Sequence, residues 1–320
     1  MSASNWLMNT SSIQIAVVIP CYNEAVAIGR VVEGFRNSLP QAAIHVFDND
    51  STDDTAAEAQ RSGAIVHRVA LRGKGNVVRR MFADVEADVY VMVDGDDTYD
   101  ASAAPLLVAK LLDERLDMVV GRRVTEQTAA YRAGHRTGNV MLTKATALVF
   151  GNAFDDLLSG YRAFSRRFAK SFPAHSAGFE IETELAVHAL GMRMPVAEVP
   201  TAYGARPEGS HSKLSTYRDG LRILTTIGRL VKSERPLAFF SVGFALFFLL
   251  AVALATPLLF VYLETGLVPR LPTAVLCAAL VLLAFILLGC GLILDTVTRG
   301  RWEAKRMAYL AIGGPGRPGQ

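Results

Sequence analysis

The sequence predicts an α/β domain of Rossmann-like type, followed by an interfacial amphipathic helix and two transmembrane helices. Three observations carry that prediction. Over the first 125 residues short apolar runs alternate with helical segments, the βαβα rhythm of a parallel sheet covered by helices. One run, Asp88-Val89-Tyr90-Val91-Met92-Val93, is apolar without alternation and breaks abruptly into Asp94-Gly95-Asp96-Asp97. That is how a buried strand reads where its carboxyl end meets a ligand. Finally, Leu237 to Leu263 and Leu271 to Leu294 contain no charged residue and lie in tandem.

The elements follow in order. Strands are expected at Ile13–Pro20, Ile44–Phe47, Ala64–Val69, Val89–Val93 and Met118–Val120. Helices are expected near Glu24–Ser38, Asp53–Arg61, Gly75–Val85 and Ala101–Glu114, with Asn23-Glu24 and Asp50-Ser51-Thr52-Asp53 as N-terminal caps. From Tyr131 to Tyr203 the pattern changes to a helix over Gly138–Phe150, an irregular loop, a helix over Glu180–Leu190 and a short strand at Val196–Val199. There is no internal repeat. The first domain is bounded at residues 1–212, and 213–236 form a juxtamembrane helix. Stepping 100° per residue along Leu214 to Lys232 puts Arg218, Arg222 and Arg229 on one narrow face, with Tyr217, Leu221, Leu224, Ile227, Leu230 and Val231 covering most of the remainder. Such a helix lies in the headgroup region with its guanidinium groups toward phosphates.

Residues 237–297 hold the two spans, about 237–263 and 271–294, and each exceeds the roughly 20 residues that cross a bilayer as a helix. Pro257 and the Gly289/Gly291 pair are tolerated there. Arg229, Lys232 and Arg235 precede the first span; Arg299, Arg301, Lys305 and Arg306 follow the second; the connection carries Arg270 alone. The positive-inside rule puts the large domain and both termini in the cytoplasm. Met1 to Ile13 has no apolar stretch behind a basic start, so no signal peptide is expected, and residues 298–320 form a cytoplasmic tail ending in a disordered Gly/Pro-rich segment.

Composition narrows the function. A net charge of +3 provides no global field for nucleic acid. Cys21, Cys277 and Cys290 have no metal-ligand spacing and suit a reducing compartment, and the six histidines are unclustered. The chemistry concentrates at predicted strand ends. Asp94 and Asp96, one residue apart, can share a hard divalent cation with phosphate oxygens. Ile19-Pro20-Cys21-Tyr22-Asn23-Glu24 and Phe47-Asp48-Asn49-Asp50-Ser51-Thr52-Asp53 end the first two strands, offering an aromatic, carboxylates and amides to a base and ribose. Arg72-Gly73-Lys74-Gly75-Asn76 brings two cations to a helix start, suited to phosphate, although it is not a P-loop.

In order, Val17-Val18-Ile19-Pro20-Cys21-Tyr22-Asn23-Glu24, Asp50-Ser51-Thr52-Asp53, Arg72-Gly73-Lys74-Gly75 and Asp94-Gly95-Asp96 resemble the inverting glycosyltransferases of family 2, which have the GT-A nucleotide-sugar-binding fold. Asp156-Leu157-Leu158-Ser159-Gly160-Tyr161-Arg162 and Arg206-Pro207-Glu208-Gly209-Ser210-His211-Ser212-Lys213-Leu214 resemble its polyprenyl-phosphate branch, the dolichol-phosphate mannose synthases and bacterial relatives that use undecaprenyl phosphate. The resemblance covers roughly residues 14 to 232, and the two spans match the bacterial relatives in number and place.

The resemblance implies residue roles. Pro20, Tyr22 and Glu24 would border the base, with Asp48 nearby and Asn49 beside it; Lys74 would face phosphate. Asp94 and Asp96 match the D-x-D acids, the second contacting Mg²⁺ or Mn²⁺ most directly. Arg123 matches an arginine near the donor phosphates or acceptor, and Arg136 one for the acceptor phosphate. Asp156 matches the carboxylate beside the reacting centre, while Arg206, Ser212 and Lys213 match a mobile loop over the phosphates. Two positions depart from the pattern: Asn49 and Asp50 stand for the second acid and the glycine of the usual D-D-G-S, and Thr98 stands where some mannose synthases have glutamine. The resemblance further implies a metal-dependent hexosyltransferase of the bacterial inner membrane, working as a homo-oligomer. It would move a sugar from a nucleoside diphosphate, UDP-hexose before GDP-mannose, to polyprenyl phosphate with inversion. A processive polysaccharide synthase of the same fold would need Q-x-x-R-W; Arg301-Trp302 is present, but Thr298 holds the glutamine place. A nucleotidyltransferase would bring an early G-x-G-T-R-like signature, which is missing. A non-catalytic membrane scaffold would leave Asp156 and the Arg206–Lys213 loop without purpose.

Overall fold

The computed structural model describes residues 13–124, 154–178, 180–207, 225, 228–229 and 231–315. They divide into two compact units, one running to Ile223 and resuming at Lys305, the other Leu224–Ala304.

A seven-stranded sheet organises the first unit. Strands β1 (Ile15–Cys21), β2 (Ala43–Asp48), β3 (Ile65–Arg68), β4 (Val89–Met92), β5 (Met118–Val124), β6 (Arg162–Ser165) and β7 (Val196–Ala202) lie in the order β3-β2-β1-β4-β6-β5-β7. β1 is flanked in parallel by β2 and β4, as its unbroken apolar run Ile15-Ala16-Val17-Val18-Ile19 requires of a strand buried on both faces. The sheet is nevertheless mixed rather than parallel, because β6 pairs antiparallel with both β4 and β5. The sequence reading missed β6: it is four residues long and begins with a charge, Arg162, in an otherwise apolar run.

Register decides where the site lies. Cys21 stands opposite Asp48 and Val18 opposite Met92, so the carboxyl ends of β1, β2 and β4 share one edge. Met92 also pairs with Arg162, so the chain enters β6 from that same edge and lays the 156–160 segment across it. Each of the three strands is followed by a left-handed residue that is not glycine: Asn23 (φ 53°), Asp50 (φ 60°) and Asp97 (φ 58°). Asp and Asn tolerate this region because their short side chains bond locally, which is why Asp50 can fill a glycine position. Such conformations gather at functional edges.

The helices cover the sheet through 3.6-residue periodicity. Helix α1 (Ile28–Ser38) buries Ile28, Val31, Val32 and Phe35. Helices α2 (Thr55–Arg61) and α3 (Lys74–Asp84) follow, and α4 (Ala104–Asp113) buries Ala104, Leu107, Val108, Leu111 and Leu112. A short α5 (Arg166–Ser171), capped by Ser165 through its bond from the Phe168 amide, was also missed in sequence. Helix α6 (Ile181–Gly191) is buried nearly all round. The expected caps act in part: Asp53 Oδ1 accepts from the amide of Thr55, the first residue of α2, at 3.0 Å, while α1 has no side-chain cap on its N-cap residue Ala27. Asn23 accepts from the Thr52 amide at 2.8 Å and its own amide donates to Ser51 at 2.9 Å, stitching the β1 and β2 loops together.

In the second unit, α7 (Pro236–Thr265) and α8 (Leu271–Leu310) are each long and apolar enough to cross a membrane. Their exposed leucines and phenylalanines would form an outsized apolar patch in water and suit lipid contact. The connection starts at Gly266 (φ 70°), whose amide closes α7 on the Tyr262 carbonyl, the usual glycine C-terminal cap. Gly291 lets α8 approach α7, since a Cβ there would lie 3.0 Å from that of Phe240. Helix α8 continues beyond Leu294, the expected end of the span, to Leu310 where a tail was expected. Beyond Lys305 it belongs to the first unit, where Tyr309 donates to Asp117 at 2.8 Å.

Candidate active site

The end of β4 presents its two acids differently. Asp96 is buried, and Oδ2 lies 2.6 Å from the Arg206 guanidinium while Oδ1 accepts from the Thr98 hydroxyl at 2.6 Å. Burial, and then the Asp94 charge, push the Asp96 carboxyl above the ordinary aspartate range against the pull of Arg206. Arg206 arrives here because the Gly204 amide bonds the Thr98 carbonyl at 2.8 Å and Tyr99 bridges to Tyr203. Asp94 is half-buried and its Oδ1 is 2.5 Å from Lys74 Nζ. The third acid, Asp97, turns aside to Arg30 at 2.8 Å.

Lys74 does not match its expected role. It is ion-paired to both Asp94 and Glu182, each at 2.5 Å, so its charge is already committed to two carboxylates. Burial works to lower its pKa, but the two carboxylates overcome it and the net direction is up. The helix start it occupies is not an open phosphate cradle either, since the Gly75 amide donates to the Ala177 carbonyl at 3.0 Å. Asn49 is corrected likewise. Its Nδ2 donates to the carbonyls of Val69 (3.0 Å) and Leu71 (2.7 Å), and Oδ1 accepts from the Gly73 amide at 2.7 Å. It therefore braces the 69–73 loop, with both Nδ2 hydrogens and one lone pair of Oδ1 engaged.

Asp48 is the opposite case. It is 2 % exposed, and among the described residues its Oδ1 is a buried acceptor with no partner, while Oδ2 takes the Ser51 amide at 3.3 Å. An orphaned buried carboxylate oxygen is costly and marks a place for a donor. Pro20 and Tyr22 lie beside it at the end of β1, the Arg72 guanidinium sits 5.0 Å over the Tyr22 ring, and Glu24 is held by its amide on Thr55 at 2.8 Å.

Across the site, Arg123 grips Asp156 with both ends of its fork, Nε to Oδ2 and Nη2 to Oδ1 at 2.7 Å each, and its backbone amide adds a third bond at 3.1 Å. The expectation for Arg123 was an anion from outside; its nearest anion is Asp156. Glu198 Oε1 caps the amides of Asp155 and Asp156 at 3.0 and 3.1 Å, and burial raises its carboxyl pKa. Beneath, fully buried Arg162 donates to the carbonyls of Ser159 (2.9 Å) and Leu157 (2.5 Å). Gly160 packs against the Asp94 carboxylate, which a Cβ there would push aside. Arg136, Ser212 and Lys213 lie outside the described residues, as does most of the juxtamembrane helix. Sequence reasoning missed Glu182, Glu198, Tyr99 and Tyr203. The one legible signal was an acid at the first turn of a mostly apolar helix, Ile181-Glu182-Thr183-Glu184-Leu185.

The donor set fits a hard cation. Asp94 and Asp96 supply carboxylate oxygens from one strand end, and Asp96 already holds the positive charge of Arg206. No group of three potential ligand side chains exists among the described residues. Two carboxylates are what a hard divalent cation needs where phosphate and water complete its shell, and Asp94 and Asp96 would be the residues to hold it.

Comparison with known proteins agrees with this architecture. The Glycosyl transferase family 2 profile matches residues 16–172, from β1 past α5. Glycosyltransferase AglJ of Haloferax volcanii is 38% identical over 234 residues, 72% of this chain and 77% of that protein. A dolichyl-phosphate hexose transferase of the same organism is 28% identical over 69% of this chain and 95% of its own. Among solved structures, glucosyl-3-phosphoglycerate synthase from Mycobacterium tuberculosis, in complex with Mn²⁺, uridine diphosphate and glucosyl-3-phosphoglycerate, superposes with a TM-score of 0.58 at 26% identity, covering 72% of this chain and 84% of that one. The sheet is accordingly GT-A-like, and with a profile spanning the strands that build the site and a relative this similar over most of both lengths, the chain belongs to glycosyl transferase family 2.

Proposed function

We propose that this protein transfers a hexosyl group from a nucleoside diphosphate, UDP before GDP, to a polyprenyl phosphate, with inversion at the anomeric carbon. The observation that carries the reading is the shared strand edge. It sets the unpartnered Asp48 acceptor, for an N–H of the base, beside the Asp94/Asp96 pair, for a cation and diphosphate. A bound Mg²⁺ or Mn²⁺ would supply charge neutralisation to the diphosphate. Two apolar helices, and relatives named for dolichyl phosphate, favour a lipid acceptor over the soluble one named in the synthase structure.

An oxygen of the acceptor phosphate bonds to the anomeric carbon as the bond to the diphosphate oxygen breaks, and the nucleoside diphosphate leaves with the electron pair. A phosphate monoester, with second pKa about 6, is already largely dianionic at neutral pH, so no strong base is demanded. Asp156 suits that economy: the Arg123 fork grips both its oxygens, so it orients the acceptor phosphate through the guanidinium it holds. Arg206 neutralises charge on the departing diphosphate when it swings from Asp96, joined by Lys213, while Arg123 and Arg136 hold the acceptor. The catalytic unit works at the cytoplasmic face of a bacterial inner membrane, brought to the headgroup plane by the basic helix and the hairpin, as a homo-oligomer. Against a processive synthase, Arg301 of the Arg301-Trp302 pair donates to the Ser233 carbonyl at 2.7 Å, bracing the base of the hairpin.

The test is purified full-length protein with undecaprenyl phosphate, Mn²⁺ and a panel of radiolabelled nucleotide sugars. A labelled glycolipid formed one-for-one with nucleoside diphosphate is expected; nucleoside diphosphate release that ignores the lipid would overturn the acceptor assignment.

A further inference from the structure

Lys74 is shared between two carboxylates from different elements. It opens α3; Asp94 follows β4, and Glu182 stands in the first turn of α6. The lysine and glutamate side chains are 8% and 10% exposed, so little water screens them, whereas Asp94, at 28%, faces the site. The surrounding backbone keeps the three in place. A Cβ at Gly160 would strike Asp94, and one at Gly73 or Gly75 would strike the carbonyls of Ala177 or Ser176. Glu184, two residues beyond Glu182, holds the amides of His175 and Ser176 at 2.9 and 2.8 Å. The first turn of α6 thus fixes both the lysine and the backbone against which its helix start is packed. A change in this triad therefore reaches the site through the charge around Asp94.

We propose that Glu182 is a positioning residue which, by holding Lys74, sets how much negative charge Asp94 presents to a divalent cation beside Asp96. This rests on the metal reading given above. With Glu182 charged, Lys74 divides its charge between two acids. With Glu182 neutral, Lys74 turns wholly to Asp94 and withdraws it from the cation. With Lys74 neutral, Asp94 is released and the site gains negative charge. The two substitutions therefore act in opposite directions on cation affinity, which loss of a mere packing contact does not do.

The test is Mn²⁺ titration of the full-length protein in detergent, read by the electron paramagnetic resonance signal of free Mn²⁺ with UDP present. Glu182→Gln is expected to raise the Mn²⁺ Kd, and Lys74→Met to lower it, each by roughly three- to thirtyfold for a unit charge at this range. The double variant should return close to wild type. The donor KM of Glu182→Gln should rise at low Mn²⁺ and recover when Mn²⁺ is saturating, a rescue that a folding defect would not show. If Lys74→Met does not fold, Glu182→Gln alone decides. A Glu182→Gln Kd within twofold of wild type, while Asp96→Asn abolishes binding, overturns this inference and spares the metal site. Unaltered binding by Asp96→Asn overturns the metal site itself.

Discussion

Arg206 meets Asp96 at 2.6 Å, so a cation from a loop occupies the carboxylate assigned to the metal. With a cation held by Asp96, Arg206 would be free to move from Asp96 to the diphosphate and neutralise its charge. Asp96→Asn should then cut kcat/KM by about 10²- to 10³-fold while the protein stays folded and membrane-bound. Arg206→Ala should lower kcat yet leave Mn²⁺ affinity equal or higher, because a competitor for Asp96 is gone. Nucleoside diphosphate release together with Mn²⁺ titration separates the two; weaker Mn²⁺ binding by Arg206→Ala would contradict the exchange.

The Arg123–Asp156 fork makes a prediction about pH. If Asp156 orients the acceptor, Asp156→Asn should lower kcat by about 10- to 100-fold and leave the acid limb in place. That limb belongs to the acceptor phosphate: as pH falls through about 6 the dianion takes a proton and the rate drops. Arg123→Lys should not rescue function, since an ammonium cannot make two parallel bonds. A pH–rate profile whose acid limb disappears in Asp156→Asn would make Asp156 the base instead.

Asp48 should act on donor binding alone. Replacing it with alanine removes the acceptor that awaits a base N–H, raising the donor KM by about 10-fold or more with kcat little changed. A loss confined to kcat, with the donor KM unchanged, would show that Oδ1 does not face the base. Steady-state kinetics with varied donor at fixed lipid suffices.

Much of this site was legible because its first half is local in sequence. The apolar runs Ile13–Pro20, Ile44–Phe47 and Val89–Val93 marked three strands, and parallel pairing brings the polar segments that follow them to one edge. What sequence could not supply was partnership across long separations. Lys74 looked like a phosphate ligand because a basic residue between glycines at a helix start commonly is one, and its real partner Glu182 lies 108 positions on. Asn49 looked like a base contact until the 69–73 loop folded onto it. Strand β6 escaped because Arg162, a charge in a four-residue strand, is buried without a carboxylate hydrogen-bond partner, satisfied by two carbonyls that only the folded 157–159 turn provides.

Away from the site, His188 supplies an acid-stability prediction. It is 2% exposed beside Phe168 and Phe172, its Nδ1 has no partner among the described residues, and its Nε2 lies 3.2 Å from the Ser171 hydroxyl. Burial, then the Lys305 charge, lower its pKa to about 3. An unfolded histidine titrates near 6.5, so the folded imidazole refuses a proton that the unfolded chain accepts. Its contribution is therefore whole above about pH 6.5 and is lost as pH falls from there toward about 3, at about 1.4 kcal/mol per pH unit. His188→Phe keeps an aromatic body and removes the titration. Its melting temperature relative to wild type should rise progressively below pH 6.5, corresponding to about 2 kcal/mol at pH 5, and hold constant between pH 7 and 8. Thermal melts of both proteins in the same detergent across pH 5 to 8 give that difference curve, and a curve flat throughout would mean that the folded imidazole takes up its proton as readily as the unfolded one.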